Sequence, residues 1–370
     1  MTRRIFIPVD IKDFADVLHR AGHEAFVVGG AVRDSVLGHR VQDWDIATSA
    51  LPGQVKLLFR TVIPTGIEHG TVTVRWRGHS IETTTFRIDG EYTDGRHPDS
   101  VSFSTDLGAD LSRRDFTING MAADPRNGAI IDPENGLADL AAGMVRAIGN
   151  PEERFAEDAL RTLRAIRFAA RFGFRVDPAT LAAIPGALTR FGAVSPERIR
   201  DEFSKTLVAQ GVGQGLSMLL STGLLASFLP ELVACAGVGQ GGPHLYDVFG
   251  HLVASCQAAP DTVELRLAAL LHDIGKPVRR VEKDGVLSFY GHDQESAALA
   301  GQALKRLKYP NAVVDRVVHL IRHHMFDYSE AWTDAAVRRF VARVGYDSIV
   351  DLARLRLADS SGMGHGAADP

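Results

Sequence analysis

Between residues 24 and 48 the alternation of hydrophobic and polar positions predicts a strand, a glycine turn, a helix and a second strand. Residues 25–28 are a short apolar run that fits a buried strand. Gly29 and Gly30 follow it, and residues 31–37 predict a two-turn helix that ends at Gly38. The rest of the chain is best understood from this segment.

Two aspartates occupy the second strand. Asp43 and Asp45 alternate with Trp44 and Ile46, so the carboxylates share one face and the apolar side chains point into a core. Carboxylates on one face repel each other unless a cation such as Mg²⁺ lies between them. The glycine turn offers backbone N–H groups to a phosphate. Either feature alone is weak evidence, but together they indicate metal-assisted phosphoryl or nucleotidyl transfer.

The pattern that follows predicts a hairpin and then a loop. Residues 71–76 and 80–86 alternate as two strands around a turn at Gly78, and Glu82 is a candidate third carboxylate for the site. Residues 87–111 are rich in turn formers and charge, which predicts a long mobile loop.

Residues 153–175 have the period of a helix with a basic face. Arg161, Arg164, Arg167 and Arg171 cluster on one side of the predicted helix. Neighbouring guanidinium groups repel each other unless an anion lies across them. A triphosphate or an RNA backbone would supply that anion, and a simple solvated basic face is the alternative.

The composition limits the number of domains and the class of protein, but it does not indicate a function. A chain of 370 residues with 45% hydrophobic and 23% charged residues can fold as two or three globular domains. The net charge of −4 excludes a globally basic nucleic-acid binder, so any RNA contact must use local basic faces. Two cysteines, no signal peptide and no continuous apolar run of bilayer length predict a cytoplasmic protein with no membrane partner.

Four motifs carry a family resemblance. GGAVRD followed by DWD resembles the signature of the polymerase-β-like nucleotidyltransferases, and more narrowly of class II tRNA nucleotidyltransferases and bacterial poly(A) polymerases. RRDFTINGMA at 113–122 is similar to the family's RRDFTINAMA, with Gly120 in place of alanine. EDALR at 157–161 resembles the EDxxR motif, and ERIRDE at 197–202 resembles an ERxxxE-type motif. The resemblance covers most of residues 24–205.

The resemblance implies roles for individual residues of the first motifs. Asp43 and Asp45 would be catalytic and hold Mg²⁺, and Asp115 would contact the ribose. Residues 87–111 would be a flexible arm that switches addition from C to A. The triphosphate and the departing pyrophosphate would be bound by Gly29, Gly30, Arg33 and Arg114.

In the resembled family the EDxxR pair selects the base, and its chemistry explains the choice. Cytosine and adenine both present an amino donor beside a ring-nitrogen acceptor, which match a carboxylate (Asp158) and a guanidinium (Arg161). Guanine and uracil present a carbonyl and an N–H there, so their polar groups would stay unpaired. Arg164 and Arg167 would help to hold the base or the phosphates, and residues 197–202 would brace this helix.

Histidines crowd the last third of the chain, after a glycine-rich connection at 237–243. HDIGKP at 272–277 follows an apolar run and resembles the motif of HD-superfamily metal phosphohydrolases. That resemblance implies one divalent ion, with His292 and either His323 or His324 near the ion or the substrate, and phosphatase or cyclic phosphodiesterase activity. Imidazole and carboxylate ligands together suit Mn, Ni, Fe or Mg better than structural zinc. The implied ligands are His251, His272, Asp273 and Asp359.

We therefore expect an α/β N-terminal nucleotidyltransferase head of polymerase-β-like fold at 1–145, an all-α neck and body at 146–240, and an all-α HD domain at 241–370. The expected function is template-independent addition of C, C and A from CTP and ATP to the tRNA 3′ end, with release of pyrophosphate. Partial CC-only or A-only addition, a poly(A) polymerase, a protein-modifying nucleotidyltransferase fused to an HD hydrolase, and an inactive RNA-binding module are the alternatives. The sequence leaves the oligomeric state open. Family members usually continue into a helical tail that grips tRNA, whereas this sequence ends soon after Asp359.

Overall fold

The computed structural model describes residues 3–89, 101–241, 245–326, 328 and 331–364. The chain forms two compact units, one made of Met1–Arg161 with Phe174–Arg190 and the other of Thr162–Gly173 with Phe191–Pro370. The predicted boundaries at 145/146 and 240/241 stay predictions. None of the helices in the described part of the chain has the length and apolar character that a bilayer crossing requires.

The first unit is built on a mixed β-sheet. Its strands are, in chain order, β1 Ala25–Val28, β2 Asp45–Thr48, β3 Val62–Gly66, β4 Thr71–Trp76, β5 His79–Thr85, β6 Arg87–Asp89, β7 Val101–Phe103, β8 Ala122–Ala123, β9 Ile130–Ile131, β10 Met144–Val145 and β11 Arg175–Val176. Seven of them form one sheet in the order β3-β4-β5-β2-β1-β8-β9, while β6 pairs with β7 and β10 with β11.

The sheet brings the predicted catalytic strand to its centre. β2 pairs antiparallel with β1 and parallel with β5, so strands that are distant in sequence lie side by side. The hairpin of β4 and β5 forms as predicted, and Gly78 adopts a positive φ of 85° at its turn. Val27 of β1 and Ile46 of β2 pair in register, and both are buried. An α/β head is therefore confirmed.

Nine short α-helices occur along the described part of the chain up to residue 191. They are α1 Val9–Arg20, α2 Gly30–Val36, α3 Pro52–Leu58, α4 Leu107–Ser112, α5 Gly136–Ala142, α6 Pro151–Glu157, α7 Leu160–Phe172, α8 Pro178–Ala182 and α9 Leu188–Phe191. α1 buries the stripe formed by Ile11, Phe14, Ala15 and Leu18. α7 begins in the first unit and continues into the second.

Two predictions for this region were wrong in part. The ends of the predicted loop at 87–111 are ordered as the β6–β7 pair and α4, whereas residues 90–100 lie outside the described residues. The helix predicted over 153–175 is two helices, because the chain becomes extended at Asp158 (φ −146°, ψ 103°) between α6 and α7. Asp158 also accepts a hydrogen bond from the Leu160 amide at 3.1 Å, which caps α7.

The second unit is helical, with one small hairpin of β12 Val281–Lys283 and β13 Val286–Ser288. Its further helices are α10 Pro196–Leu207, α11 Val212–Ser221, α12 Pro230–Val233, α13 Val248–Ala258, α14 Val263–Leu271, α15 Lys276–Arg279, α16 His292–Arg306, α17 Asn311–Arg322, α18 Asp334–Val344 and α19 Ile349–Gly362. Cys235 and Cys256 are buried free thiols, as expected of small core residues.

One glycine decides how closely α13 and α19 pack. A Cβ on Gly362 would lie 2.0 Å from Ser255 Oγ. Only glycine allows this approach, which brings the C-terminal part of α19 against α13.

Candidate active sites

Asp45 and Glu82 share one face of the central sheet, and Asp43, which was predicted to lie within the strand, comes just before β2. Asp45 is the first residue of β2 and pairs in register with Glu82 of β5. Neighbours in register point to the same side of a sheet. Asp43 lies two residues before Asp45 and is exposed, whereas Trp44 between them is buried, as predicted. Burial, then the charges of Glu82 and Asp43, raise the pKa of Asp45 to about 6, although Arg114 opposes them.

The glycine turn at the start of α2 leaves room for the cationic side chain of Arg114. Gly29 has a φ of 65°, and a Cβ there would lie 2.9 Å from Nη1 of Arg114. Asp110, which is fully buried, holds that guanidinium through a 3.0 Å ion pair. Burial alone would raise the pKa of Asp110, but Arg114 and Arg113 lower it below its ordinary value. A positive group is thus fixed beside the backbone amides of the turn.

Arg33 and Asp115 are joined through Asn119. Arg33 is buried and donates to Asp34 Oδ1 at 2.8 Å and to Asn119 Oδ1. The Asn119 amide donates to Asp115 Oδ1 at 2.9 Å, which also accepts from the Phe116 amide. These contacts tie α2 to the RRDFTIN segment. Sequence reasoning missed Asp110 and Asn119, because only their long-range contacts distinguish them from other polar loop residues.

The predicted base-selecting pair, Asp158 and Arg161, lies where α6 ends and α7 begins. Arg161 forms a 2.5 Å ion pair with Glu157 Oε2 and donates to the Arg113 carbonyl at 3.3 Å. Asp158 caps α7 rather than standing one turn from Arg161 on a single continuous helix. Their part in base selection stays a prediction.

An internal carboxylate lies against the basic face of α7. Glu202 of α10 is buried and forms an ion pair of 2.5 Å with Arg167 and a longer one of 3.7 Å with Arg164. The Arg167 guanidinium also lies 4.0 Å from the centre of the Phe168 ring. The expectation that these arginines need an external anion was therefore incomplete, since α10 supplies one. The predicted bracing by residues 197–202 is seen here in Glu202.

A second polar cluster is buried in the helical unit. His251 comes from α13, His272 and Asp273 follow α14, and Asp359 comes from α19; all four are buried. Nε2 of His251 lies 3.1 Å from Nε2 of His272 and 3.2 Å from Asp359 Oδ1. Asp273 Oδ2 lies 3.4 Å from both imidazole Nε2 atoms. Ligand atoms bound about 2 Å from one ion have separations near these values.

The chemistry of the donors fits a cation. Nδ1 of His272 lies 2.9 Å from the Ala269 carbonyl, so Nδ1 would carry the proton of a metal-bound neutral ring, whose Nε2 lone pair would face the cluster. Burial lowers the pKa of His272, but Asp273 and Asp359 outweigh it and raise that pKa to about 10. The two carboxylates thus favour positive charge at this point, and a divalent ion would supply it in place of a proton.

Two more histidines extend the cluster on the other side of Asp273. Nε2 of His292 lies 3.0 Å from Asp273 Oδ1, and Nε2 of His324 lies 3.7 Å from it. Each ring has its Nδ1 within 2.9 Å of a backbone carbonyl, the tautomer found for His272. The groups His251–His272–Asp273 and Asp273–His292–His324 are each compact enough to hold a metal ion. Of the two histidines left open by the sequence, His324 is the one that lies in the cluster, since it is 1% exposed whereas His323 is only partly buried; its role toward an ion or substrate stays a prediction.

A cavity of about 530 Å³ opens onto this cluster. Lys276 and Arg356 line it, and each pairs with a carboxylate of the cluster, at 2.5 Å to Asp273 and 2.8 Å to Asp359. A phosphate ester entering the cavity would meet two cationic side chains beside the predicted metal.

Family models match three consecutive parts of the chain. They are the poly(A) polymerase head domain over residues 25–146, the probable RNA- and SrmB-binding site of polymerase A over 173–235, and the HD domain over 243–360. A solved structure, the Bacillus stearothermophilus CCA-adding enzyme in complex with CTP, is 32% identical with a TM-score of 0.74 and is matched over 94% of this chain and 77% of its own. The chain belongs to the tRNA nucleotidyltransferase and poly(A) polymerase family.

Comparison with other proteins of the family shows how much of each chain is covered. The CCA-adding enzyme of Levilactobacillus brevis is 49% identical over 207 residues, which are 56% of this chain and 52% of that protein. The chain thus spans about half the length of the curated relatives it matches. A tRNA nucleotidyltransferase solved with a primer tRNA and an incoming ATP analogue is 22% identical, with a TM-score of 0.65 over 93% of each chain, which shows the shared fold.

Proposed function

We propose that this protein is a Mg²⁺-dependent tRNA nucleotidyltransferase that adds C, C and A from CTP and ATP to the tRNA 3′ end. The observation that carries the proposal is the face shared by Asp45 and Glu82, with Asp43 just before β2, in the same unit as Gly29 and Arg114. The raised pKa of Asp45 reflects the negative charge that gathers there. Family membership narrows the reaction class to nucleotidyl transfer.

Asp43 and Asp45, with Glu82 beside them, would hold the metal. Mg²⁺ bound there would lower the pKa of the RNA 3′-hydroxyl and neutralise charge at the α-phosphate. The protein's own contribution is electrostatic. Arg114 and the amides after Gly29 would stabilise the negative charge of the triphosphate and of the departing pyrophosphate. Arg33 and Asp115 keep the neighbouring segments in position through Asn119.

Base choice would come from Asp158 and Arg161. Glu157 holds the Arg161 guanidinium at 2.5 Å, which limits the orientations open to its donors. A fixed guanidinium and a carboxylate match the acceptor and donor edge of cytosine and adenine, and they leave uracil and guanine with unpaired groups. Arg164 and Arg167 would then act chiefly by fixing α7 through Glu202.

The HD cluster supports a second activity. We infer that His251, His272, Asp273 and Asp359 hold a divalent ion such as Mn, Ni or Mg, and that the cavity above them takes a phosphate ester for hydrolysis. A bound ion would activate the attacking water. Lys276 and Arg356 would orient the phosphate group and balance its charge.

The decisive experiment incubates tRNA that lacks its 3′ CCA with each labelled nucleotide, alone and in pairs. We expect CTP and ATP to be incorporated in a defined order, and Asp43→Ala and Glu82→Gln to reduce incorporation at least 100-fold while HD hydrolysis persists. His272→Ala should have the opposite pattern. Incorporation of UTP or GTP as efficient as that of CTP would contradict the proposed base selection.

The same assay separates the alternatives. Long products with ATP alone indicate a poly(A) polymerase, and products that stop after CC or contain only A indicate a partial enzyme. Label transferred to a protein in place of RNA would indicate a protein-modifying nucleotidyltransferase.

A further inference from the structure

A second cavity adjoins the 530 Å³ cavity that opens onto the HD cluster (called the HD cavity below), and a different set of charged residues lines it. Its volume is about 570 Å³, and it is lined by Asp293, Gln294, Arg322, His323, Met325 and Arg343. Asp293 and Met325 line both cavities, so the two share a wall within the second unit.

The cations of this second cavity are poorly compensated. Arg322 ends α17 and Arg343 lies near the end of α18, and both are exposed. Within the described ranges neither guanidinium forms an ion pair with a carboxylate, in contrast to Arg279 and Arg306 of the same unit. Asp293 supplies one negative charge against two guanidinium groups, and Gln294 is neutral. An anion entering the cavity would relieve the repulsion between the arginines.

The shared wall suggests how one ligand could occupy both cavities. In the HD cavity Lys276 and Arg356 lie beside the predicted metal, where the reacting phosphate would bind. Tyr290 borders the same cavity with 90% of its surface exposed, which offers a face for stacking a base. A ligand with a base, a reacting phosphate and a second phosphate has a group for each of these three features. A mononucleotide with a single phosphate has no group for the second cavity.

We propose that Arg322 and Arg343 bind the penultimate phosphate of an RNA 3′ end whose terminal phosphate is hydrolysed at the HD cluster. This assignment rests on the HD activity proposed above and names its substrate class. Water adds across the terminal P–O bond, and the products are a 3′-hydroxyl on the RNA and inorganic phosphate. An oligonucleotide is therefore preferred to a mononucleotide with the same terminal group.

Hydrolysis kinetics test whether the protein prefers an oligonucleotide to a mononucleotide with the same terminal phosphate. The full-length chain with Mn²⁺ is assayed on the dinucleotide UpUp and on uridine 3′-phosphate, with inorganic phosphate as the readout. We expect Arg322→Ala with Arg343→Ala to raise the KM for UpUp about tenfold and to leave the KM for uridine 3′-phosphate within twofold. Arg339→Ala is the matched control, because Arg339 is exposed on α18 and does not line the cavity. Equal changes for both substrates would overturn the proposal.

A binding measurement separates this proposal from the hydrolytic activity itself. The ring resonances of His323 are followed by NMR in Mg²⁺ buffer during titration with UpUp, and His23 of the first unit serves as the reference ring. A shift of His323 that disappears in the double variant supports the phosphate site even if no hydrolysis occurs, and the proposed HD activity would then fail alone. No shift, or an equal shift with an acidic peptide of the same net charge, would overturn the assignment to RNA.

Discussion

Asp45 lies opposite Glu82 in the parallel pair of β2 and β5, and burial together with the Glu82 charge raises the pKa of Asp45 to about 6. At a pH between 3.8 and about 6, Asp45 is therefore protonated in the metal-free folded state but ionised in the unfolded chain. Between the ordinary pKa of 3.8 and about 6 the stability must fall as the pH rises, and it stays lower above that range.

Replacing that carboxylate should stabilise the metal-free protein. We expect Asp45→Asn to increase the free energy of unfolding by roughly 1–2 kcal/mol at pH 8 and by little at pH 4. Urea denaturation in EDTA at both pH values measures this difference. Asp43→Asn is the control, since Asp43 is exposed and should have a smaller effect. The interpretation would be wrong if the difference between Asp45→Asn and wild type did not depend on pH.

Gly29 should be required for activity beyond its backbone conformation. In Gly29→Ala the new methyl group would lie 2.9 Å from the Arg114 guanidinium, so we expect nucleotide incorporation to fall at least tenfold. Gly38→Ala is a matched control, because Gly38 also has a positive φ of 74° but a Cβ added there would meet no atom within 4 Å. Both variants should lose about 1 kcal/mol of stability from backbone strain. Equal activity in the two variants would show that Arg114 is not the reason for the glycine.

Glu202 should stabilise the second unit and keep α7 in place. Glu202→Gln removes the carboxylate that lies 2.5 Å from Arg167, and we expect a loss of roughly 1–3 kcal/mol in the free energy of unfolding. The KM for CTP and ATP should also rise, because α7 continues directly from the predicted base-selecting pair. Glu231→Gln breaks a more exposed ion pair with Arg306 and should cost less than about 1 kcal/mol. Similar losses in both variants would contradict a special role for Glu202.

His324 and His323 should differ in metal binding although they are adjacent. We expect His324→Ala to reduce the Mn²⁺ bound after equilibrium dialysis, because the His324 ring faces Asp273 at 3.7 Å. His323→Ala should bind as much metal as wild type. Plasma mass spectrometry of the dialysed proteins gives the stoichiometry, and a loss confined to His323→Ala would refute the assignment of His324.

The sequence predicted those features that depend on local patterns. The strand, turn and helix around Gly29, the inward side chain of Trp44 and the apolar approach to His272 all follow from residues close in the chain. Each was specified by alternation or by helical period, and each is found in the structure.

Features that depend on distant partners could only be seen in three dimensions. The register of Asp45 with Glu82 requires the pairing of strands separated by two other strands in the chain, which no local pattern encodes. The carboxylate that faces Arg167 comes from a different helix, so the basic face of α7 could not be recognised as already compensated. The break at Asp158 was missed because helical period continues through it, while the capping contact to Leu160 interrupts the helix.

The close packing at Gly362 also has a consequence for the stability of the helical unit. It sets α19 beside α13, and thereby places Asp359 within 3.2 Å of His251 although about a hundred residues separate them in sequence. An ion shared by these two side chains would bind the folded protein and not the unfolded chain, so its binding free energy would add to the stability of the helical unit. Chelation should therefore do more than silence hydrolysis: it should make the whole helical unit melt at a lower temperature.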